Sequence, residues 1–164
     1  YIDTYAYCLL PNHFHFLVRT KTPEEQEAHH ETLGLLQPKG LGTPKKPSQQ
    51  FGSLFNAYAK AINKRYQRTG SLFGHPFGRI PVTSDAYYVY LIAYIHQNPQ
   101  KHGLADDFRL WPYSSYHVLT STKSTRLKRD DVLAWFGGPA ELQASHRLEI
   151  DKSQIAPLMP DDLD

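Results

Sequence analysis

The stretch TYAYCLLPNHFHFLVR, residues 4–19, decides how this chain is read. Thr4 to Leu10 alternates aromatic and apolar side chains over a short run, and His13 to Arg19 repeats the pattern, so both read as strands. Pro11-Asn12 between them is a turn signal, and the two strands are expected to pair as an antiparallel hairpin. Successive side chains of a strand leave from opposite faces. His13 and His15 therefore project from one face, while Phe14 and Phe16 anchor the other. Two imidazoles so placed form a two-point metal ligand. They do not by themselves choose the ion, but a hard oxygen as third ligand tilts the site toward Mn²⁺ or Mg²⁺. Two ordinary histidines, one exposed and one paired internally, are the alternative that spacing leaves open.

Working outward, Glu24 to Leu36 reads as a short helix and Gly40 to Pro47 as a loop. Ser48 is the expected N-cap of a helix through about Gln67, ended by Gly70. Phe51, Leu54, Phe55, Tyr58, Ile62 and Tyr66 share its packing stripe, and Lys60, Lys64, Arg65 and Arg68 fall mostly away from it. Phe77 to Val82 reads as a short edge strand, because Pro81 cannot donate to a ladder. Ser84 or Asp85 should cap a second helix, stopped near Asn98 by Pro99. WPYSSY (Trp111–Tyr116) is expected to contribute packing residues, and Asp130–Phe136 and Pro139–Glu149 read as short helices before a frayed tail.

On that second helix Tyr94 and Asn98 are four residues apart and share one face. An amide oxygen there can complete a metal shell while the phenol sits one turn away, near any phosphate the metal holds. Tyrosine is a poor nucleophile at its ordinary pKa of ~10, and a metal that withdraws charge from a phosphate makes its attack feasible. Tyr94 as a plain core residue is the competing reading. His96 lies on another face and reads as structural.

The chain has 164 residues, 40% hydrophobic and 21% charged, which suits one folded domain and excludes a disordered chain. The single cysteine, Cys8, excludes an internal disulfide framework and a thiolate-cluster zinc site. No stretch approaches the ~18 apolar residues of a membrane helix, and no secretory signal opens the chain, so a soluble intracellular protein is expected. Because residue 1 is Tyr1, the chain is expected to start partway into a longer gene product. Net charge is only +2, yet no Asp or Glu occurs between Thr32 and Ser84, where Lys39, Lys45, Lys46, Lys60, Lys64, Arg65, Arg68 and Arg79 cluster. Interleaved with Phe55, Tyr58, Tyr66, Phe73 and Phe77, they suit a polyanion with unpaired bases: cations for phosphates, rings for stacking. Arg79 is the favoured phosphate contact, since a guanidinium forks onto two oxygens.

AYCLLPNHFHFLVR (6–19), GSLFGHPFGR (70–79), YIHQNPQKHGL (94–104) and WPYSSY, in that order, resemble the single-tyrosine HUH transposases, and among them the REP-associated tyrosine transposases. The resemblance covers roughly residues 4–120. It implies an α+β fold of ferredoxin-like HUH nuclease type, an antiparallel sheet with helices on one face, with short C-terminal helices added. Residues 1–120 would form the nuclease domain, short of an N-terminal strand and helix, and 121–164 an accessory helical segment and tail. It further implies that His13 and His15 are the metal-binding pair, that Asn98 helps hold the metal, and that Tyr94 is the nucleophile. The implied activity is cleavage and rejoining of single-stranded DNA at hairpin-containing sites through a 5′-phosphotyrosine link, assisted by Mg²⁺ or Mn²⁺. The implied partners are single-stranded or hairpin DNA, with no membrane, for a monomer or homodimer in a bacterial cytoplasm, near the nucleoid. A domesticated hairpin-binding protein without the chemistry, or a relative that nicks replication origins, would share these motifs.

Overall fold

The computed structural model describes residues 2–32, 46–74, 77–84 and 86–148. Strands β1 (Ile2–Leu9) and β2 (Phe14–Thr20) pair as the expected antiparallel hairpin, closed where the Leu10 N–H donates to the His13 carbonyl at 2.9 Å. The free edge of β1 is covered by the chain around Ser114. The Leu9 N–H donates to the Tyr113 carbonyl, Cys8 bridges Ser114, and the Ser115 N–H donates to the Tyr7 carbonyl. This pairing satisfies an edge that would otherwise present unpaired backbone groups. With the helices described below, the architecture is α+β, and the described residues hold one sheet of two strands.

Contacts divide the chain into two units, Tyr1–Ile2 with Thr20–Arg79, and Asp3–Arg19 with Ile80–Asp164. The first holds α1 (Pro23–Thr32) and α2 (Pro47–Arg65). Thr22 and Glu25 cap α1 reciprocally: the Glu25 N–H donates to Thr22 Oγ1 and the Thr22 N–H to Glu25 Oε2. Beyond Thr32 the helix expected to Leu36, and the loop from Gly40 up to residue 45, lie outside the described residues. Pro47, not Ser48, begins α2: the proline occupies the first turn, where its missing N–H costs nothing, and the Lys46 N–H donates to Gln49 Oε1 at 3.1 Å. The helix ends at Arg65, and Gln67 takes a left-handed conformation (φ 51°) two residues later.

The expected packing stripe of α2 is only partly used. Phe51 and Phe55 meet Phe77 at ring-centre distances of 5.6 and 5.2 Å, and Phe73 joins Phe55 at 5.3 Å. Leu54, Tyr58 and Tyr66 stay exposed, and no residue of α2 is fully buried. Residues 77–80 are irregular rather than an edge strand, because the Phe77 ring is engaged by α2 and Pro81 ends any ladder.

The second unit carries the core. Tyr5, Ala6 and Cys8 of β1 and Leu17 of β2 pack against Ile92 and Ile95 of α3 (Ala86–Lys101), Tyr116 and Leu119 of α4 (Tyr116–Leu119), Val132 and Phe136 of α5 (Arg129–Phe136), and Leu142 of α6 (Pro139–Ser145). Asp3, buried at the base of the sheet, is neutralised by Arg19 at 2.6 Å with Lys128 at 3.9 Å. Its pairing offsets the desolvation of a buried carboxylate.

Helix α3 does not stop at Asn98. It runs through Pro99 to Lys101, and Asp85, one of its two expected caps, lies outside the described residues. Gly103 is what ends it. The Leu104 N–H donates to the Pro99 carbonyl and the Gly103 N–H to the Gln100 carbonyl, with Gly103 at φ 65°. These two bonds are the Schellman termination, which needs a residue without a Cβ in the left-handed conformation. Pro99 itself is fully buried, so packing offsets the backbone bond that its ring removes.

Candidate active site

Strand β2 and helix α3 bring the predicted residues into one place. The His13 and His15 rings lie 5.2 Å apart, as expected for side chains leaving one strand face. That face is the inward one: Leu17 continues it into the core, whereas Phe16 on the opposite face is 43% exposed, with Phe14 and Tyr7 as its ring neighbours among the described residues. Phe16 thus contributes little to anchoring that face, while Phe14 is half-buried there. On α3, Tyr94, Asn98 and His102 stand four residues apart along one stripe. The stripe faces the histidines, with Tyr94 5.8 Å from His15 and His102 5.2 Å from His13, ring centre to ring centre.

Asn98 lies between those contacts and is fully buried. Its amide Nδ2 donates to the Tyr94 carbonyl at 2.9 Å, while its Oδ1 is buried without a partner. His15 Nε2 is likewise buried and unpartnered. Buried polar atoms are nearly always bonded, and these two sit close enough for the Asn98 amide to act on the His15 ring, so together they are open to a bound water or ion. Among the described residues no three His, Cys, Asp or Glu side chains converge on a common point, and the Asn98 amide oxygen is the oxygen donor that lies beside the imidazoles. Two imidazole nitrogens and an amide oxygen form a mixed set that suits Mn²⁺ and tolerates Mg²⁺.

Electrostatics keep these donors available. Burial, reinforced by His13, His102 and Lys101 and opposed by the Asn98 amide, pushes His15 down to about 4. Burial and His102 also lower His13. Both rings are neutral near pH 7, as metal ligation requires. Burial raises the Tyr94 phenol, with the Asn98 amide acting in the opposite sense. The Lys101 ammonium lies 4.3 Å from the Tyr94 ring centre and brings positive charge to the tyrosine's side of the site. The other tyrosines of α3 are placed differently: Tyr88 stacks on Trp135 at 4.6 Å in the core, and Tyr90 is exposed.

Sequence reading missed three neighbours. A helix stopped at Pro99 would leave His102 in a loop, and the Gly103-Leu104 cap that keeps it on the stripe is the available signal. Lys101 follows from the same extension. Asn12, read as a turn residue, places Oδ1 2.8 Å from His13 Nδ1.

Behind this site lies a second polar cluster. His96, Ser115 and His146 are all buried. His146 Nδ1 donates to the Leu142 carbonyl at 2.7 Å, which leaves Nε2 to accept from His96 Nδ1 at 2.7 Å. His96 Nε2 must then accept from Ser115 Oγ at 2.7 Å, and Ser115 Oγ accepts from the Tyr7 N–H at 2.8 Å. A serine beside an imidazole resembles a hydrolytic pair, but no substrate reaches it. The chain of bonds ties β1, α3 and α6 together, so His96 is structural, as its position on the helix predicts. Of the WPYSSY aromatics, Tyr116 is buried and Trp111 packs against the core, whereas Tyr113 is 59% exposed and sets its ring edge-on to Trp111 at 5.8 Å.

The five predicted DNA contacts belong to the other unit. Lys60, Lys64 and Arg65 lie on α2, Arg68 in the turn after it and Arg79 in the irregular stretch, and all are exposed. Phe55, Phe73 and Phe77 pack on one another instead of standing free for bases, so Tyr58 and Tyr66 are the exposed rings beside the cations. His75 and the side chains of His29 and His30 lie outside the described residues. No described helix is long and apolar enough to cross a membrane.

Comparison with known proteins adds one relative. The chain is 27% identical over 115 residues to a curated protein of Haemophilus influenzae (strain ATCC 51907 / DSM 11121 / KW20 / Rd) named "Putative REP-associated tyrosine transposase". The match covers 70% of this chain, which spans 59% of the relative's length. The family suspected from the four motifs is thus the one that this relative's name carries. No protein-family model and no solved structure matches the chain.

Proposed function

We propose that this chain cleaves and rejoins single-stranded DNA at hairpin-containing sites, with Tyr94 as nucleophile and a divalent ion held by His13, His15 and Asn98. The observation that carries this reading is the pair of buried, unpartnered polar atoms, His15 Nε2 and Asn98 Oδ1, beside the ring of Tyr94. The relative's name and the four ordered motifs support it. In the proposed step Tyr94 Oη bonds to phosphorus and releases its proton to water. The bond from phosphorus to the 3′ oxygen breaks, and that oxygen keeps the electron pair and takes a proton from water. The product is a 5′-phosphotyrosine and a free 3′-hydroxyl, and rejoining reverses the sequence. The ion, Mn²⁺ or Mg²⁺, supplies positive charge to the phosphate oxygens. The chain itself orients the phenol through α3 packing, holds the neutral imidazoles toward the phosphate and excludes water from the His15 side. Lys60, Lys64, Arg65, Arg68 and Arg79 supply phosphate contacts, with Tyr58 and Tyr66 as stacking surfaces.

The test is a covalent adduct. Wild-type protein incubated with hairpin-bearing single-stranded DNA and Mn²⁺ or Mg²⁺ gives a denaturation-resistant protein–DNA band, which Tyr94→Phe loses and Tyr87→Phe retains. DNA binding without a band under either metal would favour the non-catalytic hairpin binder.

A further inference from the structure

We infer that Asn12 is a positioning residue for the metal site, its amide oxygen holding His13 in the tautomer whose Nε2 lone pair is offered to the ion. The inference rests on the function proposed above only in taking His13 as a ligand. Asn12 Oδ1 lies 2.8 Å from His13 Nδ1. An amide oxygen only accepts, so Nδ1 carries the ring's single hydrogen and Nε2 its lone pair. An unconstrained neutral imidazole samples both tautomers and rotates about χ2, and an ion has to select one of each. The bond to Asn12 makes both selections in advance. Its own geometry is held by the turn, where the Leu10 N–H to His13 carbonyl bond at 2.9 Å fixes the backbone on either side of Pro11-Asn12. The residue thus has two duties, a turn position that favours asparagine and an acceptor aimed at the next side chain. His15 needs no such partner, because burial against α3 immobilises its ring. An outer partner of this kind sets which imidazole nitrogen is metallated, and its loss typically weakens metal binding 10–100-fold.

The test uses Co²⁺ as spectroscopic probe on the whole chain, with Asn12→Gly, Asn12→Asp and His13→Ala, together with imidazole ¹⁵N spectra of the metal-free wild type at alkaline pH. Glycine keeps the turn and removes the acceptor, whereas aspartate keeps an acceptor for the same hydrogen. Expected are a Co²⁺ affinity about 10–100-fold weaker in Asn12→Gly, wild-type affinity or better in Asn12→Asp, and a His13 ring protonated at Nδ1 in the wild type. Unchanged affinity in Asn12→Gly, with His13→Ala impaired, overturns the positioning role and leaves the proposed metal site standing. Unchanged affinity in His13→Ala overturns both. A His13 ring protonated at Nε2 in the wild type overturns the inference without any variant.

Discussion

The Asn98 side-chain amide donates to the carbonyl of Tyr94, one helical turn back, at 2.9 Å. That bond uses the amide's N–H and so turns Oδ1 to the opposite side, toward His15. Proposed nucleophile and proposed ligand are thereby coupled through a single stretch of backbone. Asn98→Ala is expected to weaken Mn²⁺ binding and to cost about 1 kcal/mol of stability for the lost bond, while Asn98→Asp keeps an oxygen donor and retains the metal. Isothermal titration with Mn²⁺ and urea unfolding read the two effects. Unaltered Mn²⁺ affinity in Asn98→Ala would remove the residue from the shell.

Removal of one imidazole should separate chemistry from binding. His13→Ala is expected to lose cleavage while keeping much of its hairpin affinity, because the cations proposed to contact phosphate lie in the other unit. Adduct formation and gel shift on the same preparation measure both. Parallel loss would mean that the histidine face itself binds the DNA.

The exposed cations predict a salt dependence. Single-strand binding through Z phosphates gives a log–log slope near −0.7Z, so neutralising Lys60, Lys64, Arg65 and Arg68 together should flatten the slope by up to about 3. Fluorescence anisotropy between low and moderate salt provides the slopes, and identical slopes for variant and wild type would place the phosphate contacts elsewhere.

Ser115 is the joint of the buried relay, accepting from the Tyr7 N–H and donating to His96. Ser115→Ala leaves a buried N–H and a buried imidazole nitrogen unpaired, a loss of about 1–3 kcal/mol each. Urea denaturation of the variant should show a lowered midpoint with unchanged slope. A midpoint equal to the wild type would mean that water replaces the hydroxyl.

The same relay sets a pH dependence. Burial holds His146 down to about 4, against 6.5 for the model imidazole. The unfolded chain therefore binds more protons between those values, so stability is full above about pH 6.5 and falls as the pH drops toward 4, by roughly 3 kcal/mol for this residue. Thermal unfolding across that window should trace the decline, and a flat profile would show that the histidine titrates normally in the folded state.

Sequence alone carried the hairpin, the shared face of His13 and His15, the Tyr94–Asn98 spacing on one helix and the acid-free basic stretch. Each follows from short-range geometry, a period of two in a strand or four residues in a helix, or from charge counted along the chain. Tertiary structure decided which face of the hairpin turns inward and which rings of α2 are covered, because both depend on what packs against them. It also decided where α3 ends. Pro99 forbids a backbone bond locally, but burial of its ring and the Gly103 cap carry the helix on to Lys101 and set His102 at its end. The relay joins Tyr7 to Ser115 and His96 to His146, pairs 108 and 50 residues apart. No local pattern encodes such pairings, since a buried donor finds its acceptor only after the chain has closed around it.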